Sequence, residues 1–167
     1  MSETLSPVLP DSVDAAARIV LERACRRKLR LATAESCTGG LLASLLTDVE
    51  GAAHAFERGF VVYSNEAKAA MLGIDPQLIE SAGPVSEAVA RAMAEGALRK
   101  SMAQVAVSVT GFAGQGAPED EPGLVHFACA SERGATRHRE RHFGDIGRGP
   151  VRIECMREAL EMLDEAL

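Results

Sequence analysis

Three short apolar segments of this sequence each end in a turn rich in glycine, hydroxyl and amide residues, and this pattern limits the possible folds. The apolar segments are residues 31–34, 60–63 and 105–109, and the turns are residues 35–40, 64–65 and 110–116. Helical periodicity separates the segments, and strands that alternate with helices form largely parallel sheets. Polar turns that follow such strands meet at one edge of the sheet. The pattern therefore predicts an α/β fold with a crevice at the carboxyl ends of its strands.

The second half of the chain adds an antiparallel element to this pattern. Residues 124–130 and 136–143 have strand character, and Glu132-Arg133-Gly134 between them favours a hairpin. Residues 151–167 have helical spacing. We therefore predict a single three-layer α/β/α domain with a mixed, mostly parallel sheet. The domain is expected to span residues 12–167, after a flexible leader of residues 1–11 that contains two prolines.

Charge and cysteine usage limit the expected partners and location. The chain has 18 basic and 24 acidic residues and a net charge of -6, which argues against a broad nucleic-acid footprint but leaves a local basic patch open. It has no membrane-length apolar run and no signal-peptide pattern. The four cysteines form no C-x-x-C pair, as is typical of reduced thiols. We expect a cytoplasmic protein with no membrane or nucleic-acid partner, and we predict a homo-oligomer because many compact α/β enzymes of this size assemble.

The turn Glu35-Ser36-Cys37-Thr38-Gly39-Gly40 is the first candidate for chemistry. A small hydroxyl residue between a strand and a helix can be an exposed nucleophile, and free backbone N–H groups beside it can hold an oxyanion or a phosphate. The alternative is an ordinary turn in which Thr38 caps the following helix.

Two further segments bring polar groups to the same edge. In Tyr63-Ser64-Asn65-Glu66-Ala67-Lys68, a phenol and an amine flank a helix start that Asn65 can cap. A lysine acts as a base only where burial or a nearby cation lowers its pKa, and most lysines in a first helical turn are solvated. The glycine-rich segment from Thr110 to Gly116 matches neither the Walker loop nor the dinucleotide fingerprint, so a flexible loop is its alternative.

Basic residues concentrate near the C-terminus, at Arg133, Arg137, His138, Arg139, Arg141, His142, Arg148 and Arg152. Strand alternation places Arg137, Arg139 and Arg141 on one face and the histidines on the other. A solvated edge strand accounts for much of this cluster. Arg148 and Arg152, near Gly144-Asp145, are the better candidates for binding a phosphate.

Together, the segments TAESCTGG, FERGFVVYSNEAK and SVTGFAG, with FGD after them, closely resemble the CinA C-terminal-domain family, the competence/damage-inducible nicotinamide-nucleotide amidohydrolases. The resemblance covers most of residues 12–167 and is to the stand-alone form. It implies hydrolysis of the carboxamide of nicotinamide mononucleotide to nicotinate mononucleotide and ammonia, in pyridine-nucleotide recycling. It implies a small-molecule nucleotide as the substrate and no metal or organic cofactor.

The resemblance also assigns roles to residues. Ser36 is expected to be the nucleophile, Lys68 its general base and Tyr63 a neighbour that tunes or relays the proton, a serine-lysine variant of triad catalysis. Glu35 and Asn65 are expected to hold the two motifs in place beside the substrate. The other residues expected to bind substrate or line the pocket are Thr38, Gly39, Gly51, Thr110, Gly111, Ala113, Gly114 and Arg148.

The chain departs from the family pattern at several positions. Ala52 and Ala53 replace two serines after Gly51, Gln115 replaces a proline in a loop about two residues shorter, and the arginine after Gly-Asp is displaced to Arg148. These departures motivate an alternative, a nucleotide-binding regulatory module of the same fold with lost or altered amidase activity. A second alternative is a thiol amidase in which Cys37 pairs with His54 or His126.

Overall fold

The computed structural model describes residues 9–167 and contains five strands and six α-helices within them. The elements in chain order are α1 (Asp11–Arg27), β1 (Leu31–Glu35), α2 (Leu41–Thr47), a 3-10 turn (Ala53–Ala55), β2 (Phe56–Val61), α3 (Asn65–Leu72), α4 (Pro76–Ala82), α5 (Glu87–Arg99), β3 (Val105–Gly111), β4 (Leu124–Ser131), β5 (Gly134–His142) and α6 (Arg148–Ala166). Helix α1 begins one residue before the predicted domain boundary. Residues 1–8 of the predicted leader lie outside the described residues.

The strands form one mixed sheet in the order β2-β1-β3-β4-β5. Strand β1 pairs in parallel with β2 and β3, whereas β4 is antiparallel to both β3 and β5. Four strands therefore run in one direction and β4 runs in the other. This arrangement confirms the predicted mixed α/β sheet with its late hairpin.

Helices cover both faces of the sheet, which confirms the three layers. On one face, Leu31, Val107 and Phe127 pack in a cluster with apolar residues of α1, α2 and α6. On the other face, Ala32 and Ala106 pack with residues of α3, α4 and α5. The alternation of side chains along each strand produces these two clusters, because successive side chains point to opposite faces.

The structure corrects several local predictions. Strand β2 begins at Phe56 and ends at Val61, so Tyr63 lies beyond the strand. The N-cap of α3 is Ser64, whose hydroxyl accepts a hydrogen bond from the Ala67 N–H, and Asn65 is instead the first helical residue. Thr110 and Gly111 lie in β3 rather than in the loop after it. A small hydroxyl side chain caps a helix as well as Asn does, so residue type alone did not distinguish these two neighbours.

Strand β5 lies at a sheet edge, and its arginines alternate as predicted. Arg137, Arg139 and Arg141 face α6 and form ion pairs with its carboxylates, mainly those of Glu158 and Glu165. The Arg141 Nε lies 2.8 Å from Glu158 Oε2. The cluster is therefore more ordered than a freely solvated edge, because α6 supplies the opposite charges.

The histidines of β4 and β5 form a pair on the other face of the sheet. His126 Nδ1 lies 3.0 Å from His138 Nε2, so one ring donates a hydrogen bond to the other. Burial lowers the pKa of both imidazoles, and the nearby carboxylates of Glu140 and Glu87 offset part of that effect. Arg91 lowers the pKa of His138 further, and the neighbouring His142 lowers that of His126.

This histidine pair predicts an acid-sensitive stability. Because the folded-state pKa values lie below the unfolded value of about 6.5, the unfolded chain binds more protons and the free energy of unfolding falls as pH drops below about 6.5. Urea unfolding between about pH 5 and 8 should show this fall, and the His138→Gln variant should reduce it. His142 is the matched control, because Glu121 and Glu140 raise its pKa and its protonated form therefore stabilises the folded chain at low pH. His142→Gln removes this contribution and should make the free energy of unfolding fall more steeply as pH drops. An unchanged pH profile in His138→Gln would contradict the prediction.

Candidate active site

The ends of β1, β2 and β3 meet at the carboxyl edge of the sheet and hold Ser36 in place. The Val62 N–H donates to the Glu35 carbonyl at 2.8 Å, and the Ser36 N–H donates to the Val109 carbonyl at 3.0 Å. Ser36 is therefore the first residue beyond β1 and is still fixed by the neighbouring strand. Its side chain starts from a rigid part of the backbone.

Helix α3 brings Lys68 to Ser36. The Ser64 cap fixes the N-terminus of α3. Lys68 lies on the first turn of this helix, and its side chain extends back toward the end of β1. Its Nζ lies 3.1 Å from Ser36 Oγ, 3.1 Å from the Val62 carbonyl and 3.3 Å from the Tyr63 carbonyl. The pairing of Ser36 with Lys68 therefore rests on direct contact between the two side chains.

Burial sets the protonation of Lys68. Its side chain is 2% exposed, and the three groups that contact its Nζ are a hydroxyl and two carbonyls, none of which carries a charge. Desolvation lowers the pKa of this amine, because the charged ammonium loses its hydration. A lowered pKa is what a lysine needs in order to act as a base.

The carboxylate of Glu35 occupies the N-terminus of α2. Its oxygens accept hydrogen bonds from the Gly40, Leu42 and Ala43 N–H groups at 3.2, 3.0 and 2.8 Å, and from Thr38 Oγ1 at 2.6 Å. Glu35 is fully buried. This corrects two expectations: Thr38 does not cap α2, whose N-cap is Gly40, and the helix N-terminus is not open to a substrate anion.

Two other N–H groups of the same turn remain available. Among residues 9–167, the Thr38 N–H has no hydrogen-bond acceptor and the Cys37 N–H contacts only its own thiol, whereas the Gly39 N–H donates to the Ser36 carbonyl. Both groups directly follow the nucleophile candidate, where an oxyanion would form. The sequence predicted N–H donors in this turn but gave no signal to single out these two, because every residue carries the same backbone groups.

Helix α6 supplies positive charge beside this turn. Arg152 Nε donates to the Cys37 carbonyl at 2.9 Å. Gly39 has φ +61°, and a Cβ there would lie 3.7 Å from Arg152 Nη2. Arg148 is one turn earlier on α6, and a Cβ at Gly114 would lie 3.5 Å from its Nη2. The predicted basic residues Arg148 and Arg152 therefore flank the glycines of the first and third motifs.

The end of β3 forms a wall beside Ser36. Thr110 is buried and its Oγ1 donates to the Pro84 carbonyl at 2.8 Å, so its hydroxyl is already engaged. Gly111 packs against β4, where a Cβ would come within 2.7 Å of the Leu124 carbonyl oxygen. Ala113 is buried in the core cluster of α1 and α6. These three residues shape the edge of the site through packing.

Three predicted residues do not reach Ser36. The Tyr63 side chain is 71% exposed, and only its carbonyl contacts Lys68. Asn65 lines a separate cleft of about 810 Å³ between α3 and α4, which contains neither Ser36 nor Lys68. Gly51 precedes the first residue of β2, Phe56, which pairs with Leu31 at the start of β1. Gly51 therefore lies at the amino edge of the sheet, opposite the edge that holds Ser36. The substituted Ala52 and Ala53 lie at that edge as well, remote from Ser36 of the same chain.

The histidines proposed as thiol activators lie elsewhere. His54 Nε2 lies 3.5 Å from Cys25 Sγ, and His126 bonds with His138. Cys37 is 4% exposed and its thiol contacts that of Cys155, whose pKa is raised by this contact and by burial. The structure therefore gives Cys37 no imidazole partner.

Residues 9–167 contain no group of three or more His, Cys, Asp or Glu side chains arranged to hold a metal ion. No helix in this part of the chain combines the length and apolar character that crossing a membrane requires. The homo-oligomer and the cytoplasmic location stay predictions.

The fold and the site together define an α/β protein with a buried serine-lysine pair at the carboxyl edge of a mixed sheet. The chain belongs to the CinA C-terminal domain family, whose model matches residues 13–167. It is 48% identical over 141 residues to a CinA-like protein of Chlorobaculum tepidum, covering 83% of this chain and 30% of that protein. It is 42% identical over 162 residues to a CinA-like protein of Anaeromyxobacter sp. (strain K), covering 96% of this chain and 39% of that protein. The chain thus spans about a third of the length of these relatives.

Solved structures show the same architecture. The competence/damage inducible protein CihA from Agrobacterium tumefaciens superposes with a TM-score of 0.90 at 43% identity, over 93% of this chain and 96% of that one. A competence-damaged protein (CinA) superfamily protein from Escherichia coli superposes with a TM-score of 0.86 at 34% identity, over 96% and 94%. The family that the sequence motifs indicated is therefore confirmed.

Proposed function

We propose that this chain hydrolyses the carboxamide of nicotinamide mononucleotide to nicotinate mononucleotide and ammonia. The observation that carries the proposal is the buried Lys68 Nζ, 3.1 Å from Ser36 Oγ and in contact with uncharged groups alone. This arrangement suits amide hydrolysis through a serine nucleophile. The choice of nucleotide rests on the resemblance to the family.

The contacts of Lys68 support its role as the base in the first step of the proposed reaction. A neutral amine has two N–H groups and one lone pair, and the carbonyls of Val62 and Tyr63 can accept the two N–H groups. The lone pair then faces Ser36 and accepts the hydroxyl proton as Oγ attacks the carboxamide carbon. The two carbonyls therefore orient the base as well as contact it.

The turn after Ser36 stabilises the charge that develops. As the tetrahedral intermediate forms, its oxyanion accepts hydrogen bonds from the Cys37 and Thr38 N–H groups. The Lys68 ammonium returns its proton to the amide nitrogen, the C–N bond breaks and ammonia leaves, with the acyl group bound to Ser36 as an ester. Water then attacks this ester with Lys68 as the base, releasing the carboxylate and regenerating the Ser36 hydroxyl.

In this proposal, Arg148 of α6 binds the phosphate of the substrate. Arg148 forms no hydrogen bond or ion pair within residues 9–167, so its guanidinium is free for a bidentate phosphate contact. We expect Arg148→Gln to raise KM for nicotinamide mononucleotide about tenfold. Turnover of nicotinamide riboside, which lacks the phosphate, should stay unchanged, and steady-state kinetics with both substrates measure the difference. An equal loss with both substrates would place Arg148 elsewhere in the mechanism.

Ammonia release from nicotinamide mononucleotide tests the proposal directly. Purified protein should release one ammonia for each nicotinate mononucleotide formed, as a coupled ammonia assay and chromatography of the nucleotide would show. Ser36→Ala protein, prepared in parallel, controls for a contaminating amidase. Absence of turnover in folded protein would reject the amidase proposal, and nucleotide binding without turnover would support the regulatory module instead.

A further inference from the structure

Exposed basic side chains gather at the amino edge of the sheet, opposite the site. We call this set the amino-edge patch; its members are Arg26, Arg27, Lys28, Arg30, Arg58, Arg99, Lys100 and Arg133, all of them exposed. They come from the end of α1, the starts of β1 and β2, the end of α5 and the β4–β5 turn. Five separate parts of the chain thus contribute to one surface of a protein whose net charge is -6.

Backbone contacts hold these parts together. The Arg30 N–H donates to Gln104 Oε1 at 2.8 Å, and the Glu132 N–H, next to Arg133, donates to the Gln104 carbonyl at 3.2 Å. Arg58 Nη1 donates to the Lys100 carbonyl at 3.0 Å. The strand starts and the turn are therefore locked side by side, and the patch is fixed by the fold.

The charge of the patch is largely uncompensated. Within residues 9–167, seven of the 18 Lys and Arg residues form ion pairs with carboxylates. Of these seven, only Arg58 belongs to the patch. The arginines of β5, by contrast, are neutralised by α6. Interaction with a helix dipole accounts for Arg26, Arg27 and Arg99, which lie in last helical turns. It does not account for Arg30 or Arg133. The carboxylates within the patch are those of Glu57, which pairs with Arg58 and also attracts Arg30, and Glu132 beside Arg133, so eight cations face two acids.

We propose that the amino-edge patch binds the phosphate backbone of a nucleic-acid duplex. Beside the patch, Phe56 at the start of β2 is half-buried, and Met102 is the large apolar side chain that is exposed. A protein interface needs an apolar or aromatic centre, and single-strand binding uses aromatic stacking, whereas duplex binding requires mainly Lys and Arg. Six of the eight members are arginines, whose guanidinium groups match phosphate geometry.

The overall acidity of the chain does not prevent such binding. Charges farther apart than about 8 Å are largely screened at physiological ionic strength. The patch therefore acts on a nearby phosphate mainly through its own charge. Because the catalytic site lies at the other edge of the sheet, this inference is independent of the proposed amidase activity.

Fluorescence anisotropy with a labelled DNA duplex of about 20 base pairs, with salt varied from about 50 to 150 mM, tests the proposal; variant proteins are compared at about 150 mM, where charges outside the patch are largely screened. The wild type should bind with a Kd of roughly micromolar order, weakening steeply as salt rises. The combined variant Arg26→Gln, Arg27→Gln, Arg30→Gln and Arg133→Gln should bind at least about tenfold more weakly. The magnitude of its slope of log K against log salt should fall by about 3 to 4.

A control variant with the same change in net charge combines Arg18→Gln, Arg23→Gln, Arg137→Gln and Arg157→Gln. It should bind less than about threefold more weakly than the wild type, since these positions lie outside the patch. Circular dichroism establishes that both variants are folded. Equal losses in the two variants, or no saturable duplex binding by the wild type, would overturn the proposal. Tighter binding of poly-glutamate, of a single strand or of anionic lipid vesicles would assign the patch to another partner and overturn it as well.

Discussion

Replacing Lys68 with arginine is expected to reduce kcat for ammonia release by at least about 10³-fold. The guanidinium stays protonated at any accessible pH, so it cannot accept the Ser36 proton even if it reaches the hydroxyl. The wild-type amine differs because burial lowers its pKa and leaves it able to lose its proton. The pH dependence of kcat/KM should accordingly rise with one ionisation whose midpoint lies below the lysine reference value of about 10.4.

The matched variant Lys68→Met separates the base from packing. Methionine fills a similar volume without a charge, so this protein should fold yet show the same loss of turnover. Thermal unfolding of the two variants and the wild type checks the fold, and steady-state kinetics check the activity. Substantial turnover by Lys68→Met would show that another group activates Ser36.

Replacing Glu35 with alanine is expected to lower the free energy of unfolding by about 3 to 5 kcal/mol. The carboxylate is fully buried and accepts hydrogen bonds from Thr38, Gly40, Leu42 and Ala43. Alanine leaves the buried Thr38 and Leu42 donors and the half-buried Gly40 and Ala43 N–H groups without this partner, and it removes the negative charge at the α2 N-terminus. Domains of this kind are stable by only about 5 to 15 kcal/mol, so the loss is a large fraction of the total.

Urea unfolding followed by circular dichroism measures this effect. Glu80→Ala is the control, because Glu80 is an exposed helical carboxylate without a hydrogen bond in residues 9–167, and it should change stability by less than about 0.5 kcal/mol. Glu35→Gln keeps the shape and one acceptor oxygen, so its loss should be intermediate. A Glu35→Ala protein as stable as the Glu80→Ala control would mean that the turn holds its shape without the carboxylate.

The sequence predicted the parts of the fold that depend on residue pattern. Apolar runs and helical spacing indicated the strands and helices, and the rule that parallel strands share an edge brought Ser36 and Lys68 into one region. The distance between them could not be predicted, because it depends on where α3 begins. Tyr63 shows the limit: β2 ends at Val61, so strand alternation no longer fixes the direction of its side chain, and the phenol is exposed.

Glu35 shows a second limit. The sequence identified it as a residue beside the nucleophile, but a carboxylate in a turn can bind a substrate, cap a helix or form an ion pair. Its four local donors became evident only from the path of residues 36–43. Gly51 was predicted to line the pocket, whereas it lies at the amino edge. Residues 48–55 have no clear helix or strand pattern, so the sequence does not show how far α2 carries the chain away from Ser36.

The hydrogen bonds of Glu35 to the N-terminus of α2 bear on how the family can evolve. Because Glu35 already accepts the N–H groups of that helix terminus, the proposed mechanism leaves the activation of Ser36 to Lys68, which lies on a different helix and does not bond to the backbone of residues 36–43. If Lys68 is the base as proposed, a single substitution there would abolish the reaction while the fold remains intact. Under the proposed mechanism, relatives of this chain can therefore differ in activity while sharing all the strands and helices, and an inactive copy keeps a stable scaffold on which selection can act for a different function.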